Sequence, residues 1–234
     1  MLEVRKVSKT YQHKPILRDV SFTLGPGQSL GVAGHNGSGK STLLSIVAQV
    51  LPPDEGEILV DGAPLRRGRG KAGVLFGYVP QENSLLEDLT VRETLAFWQK
   101  VYGLPAAGLF SPSSVPVMLG LDQIRKKRVA RLSGGMQKRV SIAIALLRQP
   151  RFLLLDEALT ALDRGYRMAL ENYLAAFLSQ GNSILYSSHE IGELVGFCSH
   201  ILVLRRGETA FHGEAGAFPA EGDNTTELDA LLNP

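Results

Sequence analysis

A chain of 234 residues, 44% hydrophobic and 21% charged, is long enough to build one sizeable core or two subdomains that share it. It holds no run of ~18 or more apolar residues, and its first positions alternate charged with apolar side chains, so a membrane span and a signal-peptide core are both excluded as expectations. The formal charge of +2 conceals an imbalance, because six acids and no Lys or Arg follow Arg206, leaving +8 on residues 1–206.

In chain order, residues 2–7 and 20–24 alternate apolar with polar side chains and predict strands, with a turn at Gly25-Pro26-Gly27. A third strand over 29–33 leads into Gly34-His35-Asn36-Gly37-Ser38-Gly39-Lys40-Ser41, a complete G-x-x-x-x-G-K-[ST] phosphate loop, and Thr42 opens a helical pattern. The chemistry needs this context: a strand delivers the loop and a helix N-terminus receives the phosphates. Glycines permit positive φ and let successive N–H groups converge on an anion. Lys40 supplies a full positive charge for β- and γ-phosphates, and the Ser41 hydroxyl suits Mg2+. The segment therefore predicts a nucleoside triphosphate site.

Residues 57–62 and 74–79 are the next strand candidates, on either side of the basic run Arg66-Arg67-Gly68-Arg69-Gly70-Lys71. From about Glu82 to Gln149 the pattern becomes helical. Thr90 with Glu93 predicts a capping box ahead of a helix over 91–102 that Gly103 stops, and a second helix starts at Gly134-Gly135 and carries 136–148. Arg125-Lys126-Lys127-Arg128 forms a second basic cluster. Neither cluster interleaves with aromatics, which argues for solvated loops rather than a single-stranded nucleic-acid surface.

Strand texture returns at 152–155, 183–186 and 201–204, separated by helical patterns at 163–178 and 190–197. Such alternation implies a parallel sheet with right-handed crossovers. The fold class expected is α/β: a P-loop NTPase core with a mainly parallel sheet, N-terminal antiparallel strands and a helical insert. The expected division is a nucleotide-binding core from 1–82 and 150–212, a helical subdomain over 83–149, and an acidic, loosely ordered segment over 213–234. Cys198 reads as a buried structural thiol.

The strand at 152–155 ends in Asp156-Glu157. Downstream of a phosphate loop, Asp156 reads as the acid on the metal side and Glu157 as the carboxylate that polarises the attacking water. Two acids before a helix also suit its N-terminus electrostatically.

Ahead of this strand stands Leu132-Ser133-Gly134-Gly135-Met136-Gln137. With the phosphate loop before it and the apolar run ending in Asp156-Glu157 after it, the chain resembles, over nearly its full length, the nucleotide-binding domain of ATP-binding cassette (ABC) transporters. The resemblance implies ATP and Mg2+ as ligands. It implies a head-to-tail dimer with a second nucleotide-binding subunit, identical or not, in which Ser133, Gly134 and Gly135 close on ATP held by the other subunit's phosphate loop. It further implies that Tyr11 stacks on adenine, that Gln81 touches the metal and the water, that His189 senses the γ-phosphate, and that Asp163 is the loop acid at the dimer interface. Asp163 equally suits an N-cap.

Two positions depart from the family pattern. Ala158-Leu159 replace the usual Pro and Thr or Ser, freeing φ in the turn toward Asp163, and Met136 stands where Gln is usual. With Lys40, Asp156, Glu157 and His189 present, active hydrolysis is expected. Since no span is predicted, a transport role requires a separate transmembrane permease, docked near residues 83–95, which would hold the chain at the inner face of the cell membrane from the cytoplasmic side. The texture is similar to small stand-alone ATPases of polytopic exporters. The alternative, a soluble ABC-type ATPase acting on nucleic acid or ribosomes, lacks support from tandem cassettes or sustained heptads.

Overall fold

The computed structural model describes residues 1–65 and 72–218. The basic run at 66–71 and the acids Glu221, Asp223, Glu227 and Asp229 lie outside the described residues. Chain order begins β1 (Leu2–Tyr11), β2 (Lys14–Leu24), β3 (Ser29–Ala33), α1 (Lys40–Val47), β4 (Glu55–Val60), β5 (Ala63–Pro64), α2 (Ala72–Leu75) and β6 (Phe76–Val79). It continues α3 (Val91–Val101), α4 (Val115–Met118), α5 (Gly134–Leu146), β7 (Phe152–Asp156), α6 (Arg164–Ser179), β8 (Ser183–Ser188), α7 (Ile191–Phe197), β9 (His200–Arg205) and β10 (Glu208–Glu214).

Two sheets result. One is antiparallel, ordered β2-β1-β4-β5, and the other is ordered β10-β9-β3-β8-β7-β6 and is parallel except for its β9–β10 edge. The second sheet is covered on both faces, which explains its continuous apolar strands. Along β7, Phe152 and Leu154 enter a core shared with α1 and the antiparallel sheet, while Leu153 and Leu155 enter a core built with α5 and α6. Strand β9 alternates in the same way, Leu202 and Leu204 facing one core and Ile201 and Val203 the other. The mixed α/β architecture expected from the sequence is thus present.

Differences from the sequence reading have local causes. Residues 74 and 75 close the short helix α2 instead of opening a strand, because β6 pairs with β7 only from Phe76↔Phe152 to Val79↔Leu155 and has no partner before that. Asp61-Gly62, read as the end of a strand, forms a two-residue hairpin turn with φ of 51° and 76°, pairing Val60 with Ala63. Gln12-His13 (φ 46° and 66°) and Arg206-Gly207 (φ 51° and 83°) make turns of the same left-handed kind. The first extends β1 and β2 well beyond their expected lengths, and the second creates β10, which the sequence reading missed. The chain remains folded past Gly213: Ala215 and Phe218 are buried, and Phe218 packs edge-on against Phe211.

The capping box is formed. The Thr90 hydroxyl accepts from the Glu93 N–H at 3.2 Å, and the Glu93 carboxylate accepts from the Thr90 N–H at 2.8 Å. Replacing Thr90 by Ala is expected to cost about 1 kcal/mol, read as a lower urea midpoint at unchanged slope.

Candidate nucleotide site

The buried strand β3 ends at Ala33, and the phosphate loop turns over the start of α1. Gly39 has φ of 107°, and a Cβ there would meet the Leu17 side chain at 2.7 Å and the Ile16 carbonyl at 2.9 Å. Only glycine fits so close an approach at such a φ. Gly39 caps α1 without any side-chain bond, so the first helical N–H groups face the loop's concavity. A cavity of about 240 Å³ opens there, lined by Tyr11, Ile16, Asn36, Gly37, Gly39, Lys40, Ser41, Thr42, Gln81 and Glu157. His35 and Ser38 lie with Asn36 and Gly37 along a smaller hollow on the other side of the loop, against the β9–β10 turn.

Lys40 is buried, and its ammonium donates to the carbonyls of Gly34 at 2.8 Å and His35 at 3.1 Å. Burial lowers its pKa, and the charges of Glu157 and Asp156 oppose that shift. The Glu157 carboxylate gathers three partners: Lys40 Nζ at 3.8 Å, His189 Nδ1 at 3.6 Å and the Gln81 amide at 3.1 Å. Glu157 also has φ of 49°, an uncommon value for a residue bearing a side chain. Its N–H donates to the Ser187 carbonyl at 3.1 Å, and its own carbonyl accepts from the Thr160 hydroxyl at 3.1 Å. Left-handed backbone held from both sides aims the carboxylate at the cavity rather than along the strand.

Asp156 is 1% exposed at the end of β7; one carboxylate oxygen accepts from the Ser187 hydroxyl at 2.5 Å and the other, Oδ2, has no hydrogen-bond partner among the described residues. In the cavity wall, the Ser41 hydroxyl stands 3.5 Å from the Gln81 side-chain carbonyl oxygen. These neutral and anionic oxygens suit a hard cation that takes its remaining ligands from water and phosphate. Among the described residues no cluster of three or more Asp, Glu, His or Cys could cage a metal by itself.

Ser133, Gly134, Gly135 and Asp163 do not line this cavity. Ser133 caps α5, accepting from the Met136 N–H at 3.3 Å, and stays exposed together with Gly134. Gly135 is required by a close approach, since a Cβ there would lie 2.6 Å from the Ala161 carbonyl. Asp163 occupies the N-cap position of α6, but its side chain makes no capping bond. Ala158 and Leu159 are fully buried, so packing holds the turn that a proline would otherwise stiffen. Cys198 is buried as expected, its thiol pKa pushed up to about 12 by burial. Sequence reading missed Ile16, which sits on the unpredicted half of β2, and Ser187, whose hydroxyl joins Asp156 to the Glu157 N–H.

The sequence profile described as ABC transporter matches residues 17–160. The chain is 34% identical over 210 residues to the linearmycin resistance ATP-binding protein LnrL of Bacillus subtilis, covering 89% of this chain and 67% of the relative. It is also 34% identical over 246 residues to the Nod factor export ATP-binding protein I of Sinorhizobium fredii, covering 100% of this chain and 71% of that one. Its fold superposes with a TM-score of 0.81 at 25% identity on a dimeric ATP-binding cassette in a post-hydrolysis state bound to ADP and Pi, covering 93% of this chain and 100% of the other.

Proposed function

The chain belongs to the ABC transporter family as a subunit that binds and hydrolyses ATP, and we propose that Glu157, Gln81, His189 and Lys40 carry the hydrolysis. The observation that carries this assignment is the convergence of Lys40, Gln81 and His189 on one carboxylate at the mouth of the phosphate loop. Lys40 donates to loop carbonyls and stands 3.8 Å from Glu157. A triphosphate draws that ammonium away, which leaves Glu157 free to accept a proton from water while Gln81 and His189 orient it. Tyr11 supplies an exposed aromatic face at the cavity wall for adenine, and Ile16 lies beside it. Backbone N–H groups of residues 37–42 receive the phosphates.

Ser41, Gln81 and Asp156 would hold Mg2+, Asp156 through its unpartnered oxygen. When bound, Mg2+ supplies charge neutralisation at the β- and γ-phosphate oxygens. Ser133, Gly134, Gly135 and Asp163 serve the opposing subunit: none lines its own chain's cavity, Ser133, Gly134 and Asp163 are exposed, and Ser133 to Gly135 form the N–H end of α5. Two such chains arranged head to tail would enclose two ATP molecules, and closure would follow from the contacts that the γ-phosphate makes to both.

The division into a core from 1–82 and 150–212 with a helical part at 83–149 belongs to the same proposal. It is supported by β6 and β7 being sheet neighbours across the insertion of α3, α4 and α5. No helix among the described residues is long and apolar enough to cross a membrane. We assign the work step to a separate permease in the membrane and, from the export and resistance roles of the relatives, an outward direction of transport. The test is detergent extraction of membranes containing the tagged chain. The expected result is recovery of a polytopic membrane protein together with ATP hydrolysis needing no phosphoryl acceptor. Recovery of RNA or DNA instead would overturn the transport reading.

A further inference from the structure

Residues 80–83 follow β6 and carry Gln81 toward the cavity, and one face of α5 is stitched to them. Lys138 is 3% exposed, and its ammonium donates to the carbonyls of Pro80 at 2.7 Å and Gln81 at 2.8 Å. Asn83 donates to the Gly134 carbonyl at 3.4 Å and accepts from the Ser141 hydroxyl at 3.2 Å. Positions 134, 138 and 141 are spaced i, i+4 and i+7, so all four hydrogen bonds meet one helical stripe. A buried ammonium needs its hydrogen bonds to be tolerable at all, and here both named acceptors are main-chain oxygens of the Gln81 segment.

We propose that Lys138 is a positioning residue for ATP hydrolysis: it fixes the backbone at Pro80 and Gln81 so that the Gln81 amide reaches Glu157, and it locks that segment to the helix whose first turn is the Ser133–Gly135 signature. Held at carbonyls 80 and 81, the Gln81 side chain has little backbone freedom left and bridges Glu157 and Ser41. The tether lies about one and a half helical turns from Ser133, so a shift of Gln81 on gaining or losing its ligands moves the signature end as part of the same rigid piece. This inference rests on the hydrolytic roles proposed above for Gln81 and Glu157.

The test is a double-mutant cycle on the full chain, with kcat and KM for ATP measured for Lys138→Met, Gln81→Ala and the pair. Lys138→Met is expected to lower kcat at least ~10-fold, the scale of a small misplacement of a reacting group, with KM within ~3-fold. In the Gln81→Ala background the same change is expected to cost less than ~2-fold, because its route is already cut. Lys138→Arg, whose fork still reaches two carbonyls, is expected to restore most of the lost rate. Unaltered kcat in Lys138→Met, or fully additive losses in the pair, would overturn the role. Should Lys138→Met fail to fold, Asn83→Ala severs the outer stitch at a half-buried position, and an unchanged kcat there overturns it equally. A wild-type chain that hydrolyses ATP and a Glu157→Gln chain that does not would leave the hydrolytic reading standing whatever Lys138 does.

Discussion

Replacing Glu157 by Gln is expected to slow steady-state hydrolysis at least ~100-fold while ATP binding is kept or strengthened. The change is nearly isosteric, so the left-handed turn at φ of 49°, with its main-chain bonds to Ser187 and Thr160, keeps its geometry. The amide still has an oxygen to accept from Gln81, but it no longer accepts a proton from water. Two electrostatic effects favour bound ATP in the variant. The carboxylate that faces the triphosphate is neutralised, and the ion pair between Glu157 and Lys40, at 3.8 Å, no longer competes for the ammonium. Because ATP then persists, the closed dimer should accumulate. Size-exclusion chromatography with Mg-ATP is expected to show dimer for the variant and mostly monomer for the hydrolysing wild type. Undiminished turnover in Glu157→Gln would remove Glu157 from the chemistry and return the site to a binding role.

Much of this site was readable before any coordinates, because its parts are local in sequence. The spacing of Gly34, Gly39 and Lys40 fixes a loop geometry with few alternatives, and an apolar run ending in two acids marks the end of a strand buried on both faces. Thr90 and Glu93 predicted a cap that forms as expected. What stayed hidden depends on pairing across long separations. In the sequence Lys138 is one more charge in the helix that starts at Gly134-Gly135, and only the packing of α5 against β6 shows that its ammonium ends on the carbonyls of Pro80 and Gln81. Ser187 gave no signal either, since a hydroxyl at a strand end becomes meaningful only when β7 and β8 pair Asp156 with it. The hairpins at Gln12-His13 and Arg206-Gly207 were missed for a different reason. Gln, His and Arg are not the residues that usually announce two successive positive φ values, so sheet pairing overrides the local preference.

Substituting Lys40 by Met separates the stability of the empty protein from its affinity for ATP, and the two should respond differently. Lys40 is 5% exposed, and its pKa is lowered because desolvation outweighs the nearby carboxylates. Removing it relieves a charge held out of water but strips donors from the carbonyls of Gly34 and His35 and takes the cation from Glu157, and losing one partner of such a set costs on the order of 1–3 kcal/mol. The melting temperature without nucleotide is therefore expected to fall by roughly 2–10 °C. Ligand-linked stability behaves otherwise. At an ATP concentration 100 times the wild-type Kd, the gain is ~2.7 kcal/mol, or roughly 5–10 °C for a domain of this size. Loss of a cation from the β- and γ-phosphates is expected to weaken binding at least ~100-fold, which at the same concentration leaves ~0.4 kcal/mol and a shift of roughly 1 °C. Thermal melts with and without Mg-ATP measure both quantities on the same samples. A variant that keeps the full nucleotide shift, whatever its melting temperature alone, would mean that the triphosphate binds somewhere other than the loop between β3 and α1.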